Sequence, residues 1–171
     1  LISVKKTTGE NEVLLGSDLG RMVKFKESNI RAMGRTASGV KGINLDGGKC
    51  VCAEVVTEDD KILLVTEKGY GKKTLVSEFR ETSRGSKGVK ALNITDKNGN
   101  IASVKVVDED KELVIMTNTG ITMRMSLEQI NTLGRVTQGV RLIHLKDNQY
   151  VSTISLVEKQ EDEPEEESNA E

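Results

Sequence analysis

GRTASGVKGINL runs from Gly34 to Leu45, SRGSKGVKALNI from Ser83 to Ile94, and GRVTQGVRLIHL from Gly134 to Leu145. Aligned, the three put Arg35, Arg84 and Arg135 in one column, Gly39, Gly88 and Gly139 in a second, and Lys41, Lys90 and Arg141 in a third. The arginines are 49 and then 51 residues apart. A period near 50 residues means one supersecondary unit written repeatedly, each copy burying its apolar face against a neighbour. Packing explains why apolar positions recur. It does not by itself ask for a cation in every copy, so the repeated charge points to a ligand that repeats along its own length.

The register extends outward on both sides. Glu12–Leu15 through Gly20 aligns with Lys61–Leu64 through Gly69 and with Glu112–Ile115 through Gly120. Four residues after those glycines stand Lys24, Lys73 and Arg124, and Ile30, Phe79 and Ile130 share an apolar position. Val55-Val56, Val106-Val107 and Leu156-Val157 make a further line. Short runs of Val, Ile and Leu bounded by Gly, Asn, Asp and Ser are the pattern of antiparallel strands, and no stretch sustains a helical period. The expectation is an all-β, propeller-like fold of about three blades, each of about four antiparallel strands. The blades fall roughly at residues 1–47, 48–98 and 99–157, with strands exchanged at the boundaries.

Composition bounds the reading. The chain has 171 residues, enough for one domain with a core, and only four aromatic residues, so aliphatic side chains fill most of the interior. Leu1 stands where an initiator Met is expected, which suggests a piece of a longer polypeptide. No apolar run approaches the ~18 to 20 residues of a membrane span and none resembles a signal peptide, so the expected location is the cytoplasm. The net charge of −2 conceals two regions: residues 158–171 hold eight acids against one lysine, leaving 24 basic and 19 acidic residues in the remainder. An acidic tail with so little apolar surface is expected to stay disordered, as a solubility device or as a mobile competitor for the basic repeats.

Catalytic signals do not assemble. Gly69-Tyr70-Gly71-Lys72-Lys73-Thr74 hints at a phosphate loop, but that motif needs a glycine where Thr66 stands and a hydroxyl where Lys73 stands, so a β-turn is expected. Cys50 and Cys52 have no second pair and His144 is the only histidine, which leaves no complete zinc ligand set; all three are read as strand residues.

Gly-Arg-Met-Val-Lys-Phe from Gly20, Gly-Arg-Thr-Ala-Ser-Gly-Val-Lys-Gly from Gly34 and Gly-Arg-Val-Thr-Gln-Gly-Val-Arg from Gly134 closely resemble the C-terminal domain family of bacterial DNA gyrase A subunits. The resemblance covers residues 1 to about 157. It implies a β-pinwheel, usually of six strand-exchanging blades with DNA wrapped on a basic rim, of which this chain is similar to the last three blades and the acidic tail. The family's signature, a glutamine followed by two arginines, two glycines, a lysine and a glycine, is absent; its degenerate counterparts are residues 35–42, 84–91 and 135–142. The related topoisomerase IV subunit has a similar disc and stays open as an alternative. The resemblance further implies that ATP, Mg²⁺ and the cleavage tyrosine belong to other parts of a parent enzyme, an A2B2 complex with gyrase B. Tyr70 follows Gly69 and Tyr150 follows Gln149 where a topoisomerase tyrosine follows arginine, so the cleavage tyrosine is expected outside this chain; no cofactor, metal, small-molecule substrate or membrane is expected for it either.

The physical case for double-stranded DNA stands beside the resemblance. A duplex carries one negative charge per ~1.7 Å of axis, so cations repeated around a curved edge meet successive phosphates. With few aromatics to stack bases and no helix for a groove, binding is expected to be independent of sequence. The candidate contacts are Arg35, Lys41, Arg84, Lys90, Arg135, Arg141, Lys24, Lys73 and Arg124, followed by the unrepeated Lys87, Arg21 and Lys72. The plainer readings are a solvated charged face for the cations and turn positions for the three glycines. A protein-binding propeller is the alternative class. It requires an apolar patch and little salt dependence.

Overall fold

The computed structural model describes residues 1–159 and is all-β. Its strands are β1 Glu12–Ser17, β2 Arg21–Lys26, β3 Cys50–Val56, β4 Lys61–Thr66, β5 Tyr70–Leu75, β6 Val89–Lys90, β7 Ile101–Val107, β8 Lys111–Thr117, β9 Thr122–Ser126, β10 Val140–Arg141 and β11 Val151–Glu158. A single 3₁₀ turn follows each of β2, β5 and β9. The expected disposition of the acidic tail lies outside the described residues, except for Glu158 and Lys159.

The strands form three antiparallel sheets, ordered β3-β1-β2-β6, β10-β5-β4-β7 and β11-β8-β9. Each is built on a hairpin, β1-β2, β4-β5 or β8-β9, whose turn is made the same way. A buried or nearly buried hydroxyl, Ser17, Thr66 or Thr117, accepts a hydrogen bond from the backbone N–H four residues on. Three residues beyond each hydroxyl a glycine takes a positive φ: Gly20 at 76°, Gly69 at 79°, Gly120 at 82°. An L side chain resists that conformation, which accounts for this column of the repeat. The would-be phosphate loop is therefore the end of this turn followed by β5.

The other strands of each sheet come from further along the chain. After β1-β2, the inner neighbour β3 follows the first basic segment, and the outer neighbour β6 lies inside the second basic segment, where Arg21 faces Lys90 and Met22 faces Val89. The second sheet repeats the scheme: β7 flanks β4, and β10 flanks β5 with Tyr70 opposite Arg141 and Gly71 opposite Val140. The third sheet has β11 beside β8, and among the described residues no fourth strand pairs with β9.

The sheets converge where β7 lies between β3 and β11. Side chains of β4 alternate between the two interfaces thus formed. Ile62 and Leu64 join Leu14, Met22, Cys52, Phe79 and Leu92 between the first and second sheets. Leu63 and Val65 join Leu113, Ile115, Leu127, Ile130 and Ile154 between the second and third. A strand buried on both faces is continuously apolar, as Ile62–Val65 is. Cys52 is buried in β3, and burial pushes its thiol well above the usual range. His144 departs from the strand expectation: it sits on an exposed irregular stretch after β10.

Candidate nucleic-acid interface

Because β3, β7 and β11 are innermost, β6 and β10 mark the outer edge, and each carries one exposed cation of the third repeat column, Lys90 and Arg141. Lys41, the first copy's counterpart, is also exposed, as are Arg35, Lys87 and Arg21. Lys87 is paired to Asp46 (2.8 Å), whose carboxyl is held below the usual carboxylate range by that hydrogen bond and charge. Arg21 and Lys90 stand directly opposite each other across β2 and β6, and among the described residues neither forms a salt bridge. Like charges facing each other on a ladder destabilise it, a cost that a phosphate lying between them removes.

Arg141 is held by several side-chain contacts. Its Nε and Nη2 donate to the Tyr70 hydroxyl (3.2 and 2.8 Å), its guanidinium carbon lies 5.3 Å from the centre of that ring, and Nη1 is 3.3 Å from His144 Nδ1. Lys97 stacks its ammonium 5.7 Å from the same ring. Lys68, Lys97, Arg141, His144 and Lys146 line a cleft of about 320 Å³ here, with Asp147 the only carboxylate on its wall among the described residues. Sequence reading missed Lys68, Lys97 and Lys146. They are in no repeat column, and only the exchange of β10 onto β5 carries residues 143–149 to the Lys68–Tyr70 turn.

The arginine column has a second task that the sequence does not reveal. Arg84 Nη1 donates to the Lys41 carbonyl (2.8 Å), and Arg135 Nη1 donates to the Lys90 carbonyl. Backbone bonds run alongside, from Gly85 N to Gly42 O (2.6 Å), Asn44 N to Ser86 O (2.8 Å) and Asn93 N to Thr137 O (3.1 Å). The second and third basic segments are thus each tied to the one before by their own arginine. Packing does ask for this cation in the second and third copies, and Arg84 and Arg135 are accordingly half-buried.

Three further candidates require correction because they are internal. Lys24 is 2% exposed and pairs with Glu58, with Glu12 also near (3.7 Å). Lys73, 3% exposed, holds Glu109 at 2.6 Å and donates to the Leu127 carbonyl at 2.9 Å. Lys72, wholly buried, donates to the carbonyls of Gly134 and Arg135 and to Thr137 Oγ1 (2.7, 2.7 and 3.2 Å). Arg124 is exposed, but its guanidinium pairs with Glu112 and donates to the Glu158 carbonyl (2.7 Å). The Lys24, Lys73 and Arg124 column therefore braces the hairpins against carboxylates. Among the described residues no three His, Cys, Asp or Glu side chains are placed to hold a metal ion, and no helix is long and apolar enough to cross a membrane.

With this geometry, the comparisons with known proteins agree. A family model described as the DNA gyrase C-terminal domain, β-propeller, matches residues 11–57, 60–108 and 111–158, each running from a hairpin through the inner strand that flanks it, β3, β7 or β11. The DNA gyrase A protein of Staphylococcus epidermidis (strain ATCC 12228) is 42% identical over 95% of the chain, and that of Staphylococcus aureus (strain MRSA252) is 42% identical over 99%. The chain spans only 18% and 20% of those relatives' lengths. Among solved structures, a C-terminal domain of DNA topoisomerase IV superposes with a TM-score of 0.82 at 28% identity, over 89% of this chain and 48% of that one. A DNA gyrase A C-terminal domain gives 0.78 at 24% identity, over 88% and 52%, and so attests the fold.

Proposed function

Because the chain belongs to the DNA gyrase C-terminal domain family, we propose that it binds and bends double-stranded DNA along its outer edge. The observation that carries this is the exposed cation on each outermost strand, Lys90 on β6 and Arg141 on β10, with Lys41 at the matching position of the first copy. A duplex following that edge meets these residues one repeat after another, and Arg21 and the Lys68, Lys97 and Lys146 group add charge beside two of them. The contacts are to phosphate, so they fix the path of the DNA without reading its bases. Bending 20 to 30 base pairs by 40 to 90° costs about 1 to 6 kcal/mol, which several phosphate contacts offset.

In the parent enzyme this module holds a DNA segment in a curved path and presents the neighbouring duplex to a strand-passage gate, biasing the crossing toward negative supercoils. ATP hydrolysis, Mg²⁺-dependent cleavage and the reactive tyrosine reside in other domains of gyrase A or in gyrase B, in an A2B2 assembly in the cytoplasm, and no cofactor is required here. A topoisomerase IV subunit is the second reading, favoured by the superposition at a TM-score of 0.82. The 42% identity to gyrase A proteins weighs for gyrase.

The test replaces Lys41, Lys90 and Arg141 together with Ala and titrates unrelated duplexes at several salt concentrations. Each phosphate contact contributes about 0.9 to the slope of log affinity against log salt, so the triple variant should lose roughly 2 to 3 units of slope equally on every sequence. An unchanged slope removes these residues from the interface, and binding insensitive to salt in the unaltered chain favours a protein-interaction module instead.

A further inference from the structure

Beside Tyr70 the cations converge on a concavity instead of following an edge. Lys68 comes from the hairpin turn of the second sheet, Lys97 from the loop of residues 95–100, and Arg141 and Lys146 from β10 and the stretch after it. All four are exposed, and among the described residues none of them takes part in a salt bridge, whereas Lys24, Lys61, Lys73, Lys87 and Arg124 all do. With Asp147 as the only carboxylate of the lining, four cations stand against one anion. A cleft lined by one sign of charge focuses its field and concentrates counter-ions.

The fold does not impose this charge. At the matching place between the first and second repeats, Leu19 stands for Lys68, Arg21 for Tyr70, Lys90 for Arg141, Asn93 for His144 and Thr95 for Lys146. Lys97 also rides on a longer loop: residues 95–100 lead to Ile101, paired with Thr66, where only 46–49 lead to Cys50, paired with Ser17. Tyr70 organises the wall. Arg141 and Lys97 lie over its ring, and its hydroxyl accepts from Arg141 Nε and Nη2. Among the described residues nothing accepts that hydroxyl's own proton. Because Arg141 Nη1 can only donate to His144 Nδ1, the imidazole proton sits on Nε2 as one more donor. Arg141, Tyr70 and His144 thus hold one another before any ligand arrives, which lowers the ordering cost of binding.

We infer that this cleft binds a linear polyphosphate, a chain of phosphates joined through shared oxygens, as a nucleoside triphosphate or free tripolyphosphate carries. A volume of about 320 Å³ belongs to the small-ligand range. Phosphates that share oxygens crowd their charges closer together than successive phosphates of a DNA strand do, and cations converging from separate segments match that crowding. The Tyr70 ring is already faced by Arg141 and Lys97, so recognition is by phosphate and an attached nucleoside adds little. The ligand site shares Arg141 with the DNA edge, but it is tested without DNA and stands or fails apart from the duplex reading.

The experiment is isothermal titration calorimetry of the whole chain at about 0.1 M ionic strength, without DNA or Mg²⁺, comparing tripolyphosphate, ATP, AMP and orthophosphate. Tripolyphosphate and ATP should each bind once per chain with similar affinity, and AMP and orthophosphate about tenfold or more weakly. Lys97→Ala combined with Lys146→Ala should weaken tripolyphosphate by about tenfold or more. Lys26→Ala combined with Lys49→Ala removes equal charge from exposed residues of the first repeat and should change the affinity by less than about twofold. As a measurement independent of the variants, the backbone amide shifts that tripolyphosphate causes in the unaltered chain should be confined to residues 67–71, 95–99 and 141–149. Orthophosphate binding as tightly as tripolyphosphate, equal losses in the two double variants, or shifts centred elsewhere overturns the proposal, and ATP binding much more tightly than tripolyphosphate overturns recognition by phosphate alone.

Discussion

Lys72 and Lys73 are neighbours on β5 and face opposite sides of it, with different electrostatic fates. Lys73 has a carboxylate partner, and Glu109, held by Lys73 and Lys61, is kept below the ordinary glutamate range by their hydrogen bonds. Replacing Lys73 with Met leaves the Leu127 carbonyl with only the Ile130 N–H and strips Glu109 of one partner; we expect a loss of about 1 to 3 kcal/mol in urea unfolding, with DNA affinity of the folded protein unmoved. Lys72 has carbonyls and a hydroxyl but no adjacent carboxylate, and burial pulls its ammonium down to about 8, opposed in part by Glu78. The folded protein therefore sheds this proton at a lower pH than the unfolded chain does. Between about 8 and the ordinary lysine value the unfolded state binds more protons, so stability rises with pH across that window. Lys72→Met should flatten this rise relative to wild type in urea midpoints measured from pH 7.5 to 10. On the acid side, stability due to Glu109 is present above the ordinary glutamate value and is lost as pH falls below it. A repeat column could not separate such internal lysines from surface ones, because both recur. The legible clue was Glu58 and Glu109, recurring with the same spacing two residues after Val56 and Val107, which names partners for Lys24 and Lys73.

At the scale of elements, alternation and turn chemistry made the hairpins readable: the apolar runs, the Ser or Thr and the glycine of each turn all recur. The outer strands were not readable. β6 and β10 are two residues long, too short for any periodicity, and they become strands only because an edge from the previous repeat awaits them. That exchange also explains the second glycine column, a turn position in the plain reading and a close-packing position in the structure. Gly88→Ala would drive a methyl into the Met22 carbonyl as well as strain a left-handed backbone, and should cost about 3 kcal/mol or more; Gly39→Ala, lacking the collision, should cost about 1 kcal/mol. Urea midpoints of the two variants test the difference directly.

For the whole molecule, the polarity of the chain sets how it meets a polyanion. Glu158 and Lys159 belong structurally to the third sheet, through Arg124 and through Lys159 bonded to Glu128 (2.8 Å). A truncation aimed at the acidic tail should therefore end after Lys159, where it removes seven carboxylates and takes the net charge from −2 to +5. If the tail competes for the basic edge, the shortened chain binds duplex more tightly at low salt, and the gain shrinks as salt rises; equal affinity at every salt concentration assigns the tail to solubility. The lending of strands between repeats has a further consequence on the ribosome. The edge of β2 ends at Lys26, but the residue that seals it, Lys90, is translated 64 codons later, a wait of roughly 3 to 13 s at ordinary elongation rates. The nascent polypeptide thus emerges with the first and second sheets unfinished until the next repeat has been synthesised, and codon choice between the lender and the borrower sets how long that raw edge is displayed to chaperones.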